Sequence, residues 1–274
     1  MNRTNLARGL AVASLLAAAA LAAPRAAALS LTPGTILGVD SGAPGGATFT
    51  LVQFSPTGTV LDTLALTNTA QLGTLDGLAL VGSQLFVGGT NNFVGSVDLG
   101  TGVVSNYFNT GSAGLEALGE LNGNLLVGDF GAAISVFSTA GALLNTITPS
   151  MVLGTTGVDS DGSQLFVANY NDGRVYTLDL TGTVQSSFDT GAGASSLSGL
   201  AYDAGSNTLW VSTGFNQGDI RQFDLSGNLL TSFASGYPFI DSLEVIPIPE
   251  PAAGALGAAA AVLLTRRRTG RGAG

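Results

Sequence analysis

Five polar residues occupy one recurring position in this chain: Asp76, Glu116, Thr156, Ser198 and Asp241. Three of them are carboxylic acids. Carboxylates gathered at one place repel and raise one another's pKa unless a cation or water intervenes. An all-oxygen ligand set of this kind favours Ca²⁺ or Mg²⁺ over zinc. Two acids, drawn from Asp76, Glu116 and Asp241, would also suffice for glycoside hydrolysis. The plainer alternative is that polar residues cap strand starts and sit in water. Other chemistry is closed off by composition, because the chain has no Cys and no His. Thiol nucleophiles, thiolate metal sites and imidazole bases are therefore absent, and Ser-His-Asp and Cys-His catalysis with them.

What could bring these five residues together is an internal repeat. The segments Leu85-Phe86-Val87-Gly88, Leu125-Leu126-Val127-Gly128, Leu165-Phe166-Val167-Ala168 and Leu209-Trp210-Val211-Ser212 recur about every 40 residues. The clearest unit is TGVDSDGSQLFVANYNDGRVYTLDLTGTVQSSF, from Thr156 to Phe188. It reads as four short strands, with hairpin turns at Asp161-Gly162 and Thr181-Gly182 where Gly adopts positive φ without a Cβ clash. Complete units are expected near 72–109, 113–148, 153–190 and 196–234. Two fragments remain. Residues 35–66 match the second, third and fourth strands of a unit, and Asp241–Val245 match a first strand. Together they make one more unit.

That complementarity predicts an all-β, five-bladed β-propeller whose fifth blade is shared by the two ends of the body, so that no open edge is left between first and last blades. Inner strands buried on both faces should read as apolar runs, as LFVGG and LFVA do. Equivalent positions then surround one axis, and the five polar residues become a ring at one mouth of a central channel. A flat solenoid of the same units is the rival architecture. The blades GVDSDGSQLFVANYNDGRVYTLDLTG and GLAYDAGSNTLWVSTGFNQGDIRQFDLSGNLL resemble those of the NHL, YncE-like and SMP-30-like propellers. The resemblance implies a fold and no particular reaction.

Several motifs read as structure. Asp159-Ser160-Asp161-Gly162 looks like part of a calcium loop, but it lacks a downstream Glu and falls where a hairpin turn is needed. Asp98, Asp179 and Asp224 precede glycine turns in three blades, which predicts Asx-type turn bonding. Trp210 replaces Phe or Leu of the repeat and is expected in the core. Phe93, Tyr170, Phe215, Tyr237 and Phe239 fall in loops or at blade edges, where they either pack locally or stack on sugar rings.

Charge is segregated. Between Leu29 and Ile248 there are 17 Asp and Glu against two Arg, while the other seven Arg lie in the tails. An acidic body repels phosphate, so nucleic acid is not an expected partner. Residues 1–28 carry Arg3 and Arg8, an apolar run and Ala26-Ala27-Ala28, the order of a secretory signal peptide. The body spans 29–247. The tail, 248–274, resembles the PEP-CTERM sorting signal: Pro249-Glu250-Pro251, a short apolar run from Ala252 to Leu264, then Arg266-Arg267-Arg268. The resemblance implies an exosortase as partner, a transient inner-membrane anchor, and export to the surface of a Gram-negative, exopolysaccharide-producing bacterium. A plain membrane anchor is the alternative for the tail. The reading is thus a non-enzymatic scaffold binding a ligand or partner, exopolysaccharide or another surface protein. A carboxylate glycoside hydrolase is the alternative.

Overall fold

The structure is a computed structural model that describes residues 28–42, 48–112, 114–131, 133–151, 154–214 and 218–249. These residues form 20 strands. They are β1 (Ile36–Asp40), β2 (Phe49–Phe54), β3 (Val60–Leu66), β4 (Leu75–Val81), β5 (Gln84–Gly89), β6 (Phe93–Val97) and β7 (Val104–Asn109). Then come β8 (Leu115–Leu121), β9 (Asn124–Asp129), β10 (Ile134–Phe137), β11 (Leu143–Ile147), β12 (Thr155–Ser160), β13 (Gln164–Asn169), β14 (Arg174–Asp179) and β15 (Val184–Asp189). The last blades use β16 (Leu197–Asp203), β17 (Thr208–Thr213), β18 (Asp219–Asp224), β19 (Leu229–Ala234) and β20 (Ile240–Val245).

They assemble into five antiparallel four-stranded sheets, the five-bladed propeller that the repeat predicts. Four sheets are consecutive in sequence. The fifth has the order β20-β1-β2-β3, so the two ends of the body close the ring in one blade. The closing register pairs Ile36 with Val245, Leu37 with Glu244, Gly38 with Leu243 and Val39 with Ser242. Ile36 and Leu243 also belong to one apolar cluster.

No blade has a core of its own. Each of the five apolar clusters lies between two neighbouring blades. One joins Ala201, Trp210 and Ile220 of β16–β18 to Ile240, Leu243, Val52 and Phe54 of the closing blade. Trp210 is therefore a core residue, as its place in the repeat predicts. The inner strands β4, β8, β12, β16 and β20 pack on one another around the axis. β12 and β20 are buried along their whole length, whereas β11, at the perimeter, is exposed at four of five positions. Burial on both faces explains the unbroken apolar runs.

Close approach of inner strands demands small residues. A Cβ at Gly157 would stand 2.5 Å from the backbone nitrogen of Leu200, and one at Gly119 would stand 2.1 Å from the carbonyl oxygen of Val158. Glycine is the residue that permits backbones to approach this closely.

The Asx turns are as predicted. Asp98 Oδ1 accepts the amide of Gly100, Asp179 Oδ1 those of Thr181 and Thr183, and Asp224 Oδ1 those of Ser226 and Asn228. Ala28, Ile248 and Pro249 are described; the rest of the two tail segments, including Glu250, Pro251 and Arg266–Arg268, lies outside the described residues, as does Phe215.

Candidate functional site

Asp76, Glu116, Thr156, Ser198 and Asp241 are each the second residue of an inner strand. Each is also the odd residue out in its ladder. Leu75 pairs with Gly89 and Gly77 with Gly88, which leaves Asp76 without an opposite number. Glu116, Thr156 and Ser198 are skipped in the same way, and Asp241 is skipped between Ile240 and Ser242. These are β-bulges, and a bulge re-aims a side chain that a regular ladder would hold in the pleat. All five side chains line one cavity of about 270 Å³ at one mouth of the channel.

The five residues are not equivalent. Going round the ring, the closing blade and the next two give Asp241, Asp76 and Glu116, so the acids are neighbours. Thr156 and Ser198 complete the circle. Thr156 Oγ1 donates to the carbonyl of Leu197 at 2.9 Å. The Asp241 carboxylate accepts a hydrogen bond from Ser41 Oγ. Asp76 Oδ2 and Ser198 Oγ are buried without a hydrogen-bond partner among the described residues. Leu197 supplies an apolar wall, and Phe130 and Tyr170 complete the lining. Their rings meet edge to face with centroids 5.5 Å apart.

Burial dominates the electrostatics. It pushes Asp76 up to about 8, with the charges of Glu116 and Asp241 adding to the effect. It pushes Glu116 up to about 7, again with a contribution from Asp241. Burial raises Asp241 to about 6; the Ser41 hydroxyl opposes that rise and the charge of Asp40 adds to it. Mutual repulsion is thus real but secondary to desolvation. No cation offsets the three acids from within the described residues. Arg174 is held by Ser187, and Arg221 by Asp219 and the carbonyl of Thr190.

The acids line a cavity but do not close into a chelate: among the described residues no group of three or more acidic side chains could hold a metal ion. Ca²⁺ or Mg²⁺ ligation, the expectation from ligand chemistry alone, therefore lacks a compact donor set here. Of the loop aromatics, Tyr170 reaches the cavity. Tyr237 packs edge-on against Phe54, Phe239 is buried, and Phe93 joins a blade interface. Phe130 was not singled out by the sequence.

The opposite mouth holds a second acidic group that repeat arithmetic missed. Asp159 lies inside β12 and does not belong to a calcium loop; the adjacent turn is built by Asp161, whose Oδ1 accepts the amides of Ser163 and Gln164. The Asp159 carboxylate accepts the backbone amides of Ser160 (2.9 Å), Glu120 on one neighbouring blade (3.2 Å) and Tyr202 on the other (2.7 Å). Glu244 of β20 accepts the amide of Leu80 in the next blade at 2.7 Å, and that of Val245. These carboxylates staple blades together. Burial raises Asp159 to about 7 against the pull of its three amides, and raises Glu244 well above the usual range, with the charge of Asp159 contributing. The signal available in sequence was substitution at one position: Ala79, Gly119 and Ala201 are small where Asp159 and Glu244 are acidic. Asp159→Ala is expected to strand one buried and two part-buried amides and lower stability by about 3 kcal/mol, read as a drop in the urea midpoint.

No family model and no curated protein matches the chain. Solved structures do. A propeller of a nidogen/laminin complex superposes with a TM-score of 0.55 over 77% of this chain and 98% of that one, at 12% identity. A glutaminyl cyclase from Myxococcus xanthus matches with a TM-score of 0.49 at 19% identity, over 60% of this chain and 77% of its own. The likeness is one of fold: the chain is a five-bladed β-propeller.

Proposed function

We propose that this chain is an exported, non-enzymatic β-propeller that binds a ligand at the acidic mouth of its channel and is sorted to the cell surface or matrix by an exosortase. The observation that carries the binding reading is the cavity itself. Five bulged residues from five blades face one space, and two buried polar atoms of residues in its wall, on Asp76 and Ser198, lack a partner among the described residues. Buried polar atoms in folded proteins are almost always hydrogen-bonded, so a pair left open in one cavity marks a place for another molecule. Against a glycosidase stands size. About 270 Å³ lies below the ~300–1,000 Å³ of ordinary ligand pockets, and hydrolysis requires space on both sides of the bond that breaks. A propeller seen in a complex of two proteins supports the scaffold reading at the level of architecture.

The sorting reading rests on Pro249-Glu250-Pro251, the apolar run and Arg266-Arg267-Arg268. It is tested in a Gram-negative host that carries an exosortase. The wild-type chain is expected in the surface or medium fraction, shortened at its C-terminus. With Pro249→Ala, Glu250→Ala and Pro251→Ala combined, it is expected at full length in the inner-membrane fraction. An identical distribution of both chains would refute the sorting reading and leave the cavity argument untouched.

A further inference from the structure

Taking the acidic mouth as a binding site, we infer that its ligand is a small organic ammonium ion, an alkylamine or diamine. Four features of the cavity converge on that chemistry.

The first is charge. Asp76, Glu116 and Asp241 line the cavity, and both described arginines are engaged elsewhere. A ligand that compensates such a wall is a cation. The second is size. A bare metal ion needs oxygens converging at 2.0–2.6 Å, and no such acidic grouping exists among the described residues. About 270 Å³ instead fits a molecule of several heavy atoms, given ~30 Å³ for a water in the liquid.

The third feature is hydrogen-bonding capacity. An ammonium group has three donors and no acceptor. The wall offers the complementary set: carboxylate oxygens, including Asp76 Oδ2, and Ser198 Oγ on a residue only 6% exposed, both without a partner among the described residues. A carbohydrate hydroxyl carries no charge with which to favour the ionised form of the three acids. The fourth is the apolar side. Phe130, Tyr170 and Leu197 line the same space as the acids. They can hold an alkyl chain, and an aromatic face within ~6 Å of a cation adds a favourable electrostatic contact.

Proton linkage gives the inference a second signature. Asp76 and Glu116 keep their protons to about 8 and about 7, and Asp241 to about 6, in a setting that also includes Asp40 and Tyr170. An arriving ammonium favours the ionised carboxylates. Uptake near pH 7 therefore releases protons, and affinity rises with pH from 6 to 8.5, where alkylamines remain charged.

The test is calorimetric titration of the full chain with 1,4-diaminobutane, butylamine, 1-butanol, CaCl₂ and MgCl₂ at 0.15 M NaCl. The amines are expected to bind at least tenfold more tightly than 1-butanol, with proton release visible as a dependence of the heat on buffer. Asp76→Asn is expected to weaken the amines at least tenfold, and Tyr170→Ala by severalfold. Asp76→Asn removes a buried ionisable group and so keeps the fold, which its unfolding curve checks. Saturation by Ca²⁺ or Mg²⁺, lost in Asp76→Asn and without amine binding, would overturn the ammonium inference and leave the mouth as a binding site. No binding by amine or metal would overturn both.

Discussion

A chain that ends at Phe239, lacking β20, is expected to have no cooperative unfolding transition in urea at 25 °C. Strand β20 carries Ile240, Leu243 and Val245 into an interface with β16–β18, and its Glu244 ties the next blade through Leu80. Each fully buried Ile, Leu or Val contributes ~1.5–3 kcal/mol, so the three side chains supply roughly 5–9 kcal/mol. That is comparable with the ~5–15 kcal/mol that holds a typical domain folded. The loss would also bare the edge of β1 and open a ring in which every blade depends on two neighbours. The milder Leu243→Ala should keep the fold and cost about 2–5 kcal/mol. A truncated chain that melts at the wild-type midpoint would refute the closure argument. So would a Leu243→Ala variant of unchanged stability.

Stability should fall as pH rises from about 4 to about 8. The acids Asp76, Glu116, Asp241, Asp159 and Glu244 all have raised folded-state pKa values. Unfolded, such groups lose their protons near pH 4. Between that pH and their folded pKa values the folded chain binds more protons than the unfolded one, so each step up in pH favours unfolding. The contribution is intact below pH 4 and gone above the folded pKa values. For Asp76, raised from 3.8 to about 8, it is on the order of a few kcal/mol, at about 1.4 kcal/mol per pH unit. The turn residues Asp161, Asp179 and Asp224 have lowered pKa values and act in the opposite sense, but they sit at the surface, where solvent screens them. The expected profile is a urea midpoint declining between pH 4.5 and 8.5. In Asp76→Asn the decline should be shallower and the midpoint at pH 8.5 higher. A wild-type midpoint that climbs through this window would show that the mouth carboxylates are ionised and compensated.

Much of this was legible in the chain because a propeller repeats. The recurring LFVG-like segments locate the second strand of four blades, counting back from them finds four residues of the mouth, and the match of Asp241–Val245 to a first strand supplies the fifth. The half-units 35–66 and 241–245 announce the closure, since a strand set with one member missing and a lone strand fit only each other. What the letters do not carry is the bulge. Asp76 between Leu75 and Gly77 looks like an ordinary strand residue; only the ladder shows that it is unpaired and turned to the axis. Phe130 could have been counted too: it follows β9 as Tyr170 follows β13, 40 residues on, but the aromatic character is not repeated at that position in the other blades. In the sequence Asp159 groups with the turn beside it, because Asp-Ser-Asp-Gly suits a turn. Its burial depends on two neighbouring blades that are about 40 residues away on either side.

The closing register has a directional consequence. Asp241 stands at the start of β20 beside the cavity, while Val245, four residues or ~13 Å along, pairs with Ile36 at the other end of the channel. Leu29, near the first described residue, bonds to Leu99 in the turn after β6, on that same side. Both leads into the blade therefore enter and leave by the floor of the molecule, and the acidic bowl opens from its roof. Any tether attached through Pro249 holds the protein by its base, with the bowl turned toward whatever the surroundings bring.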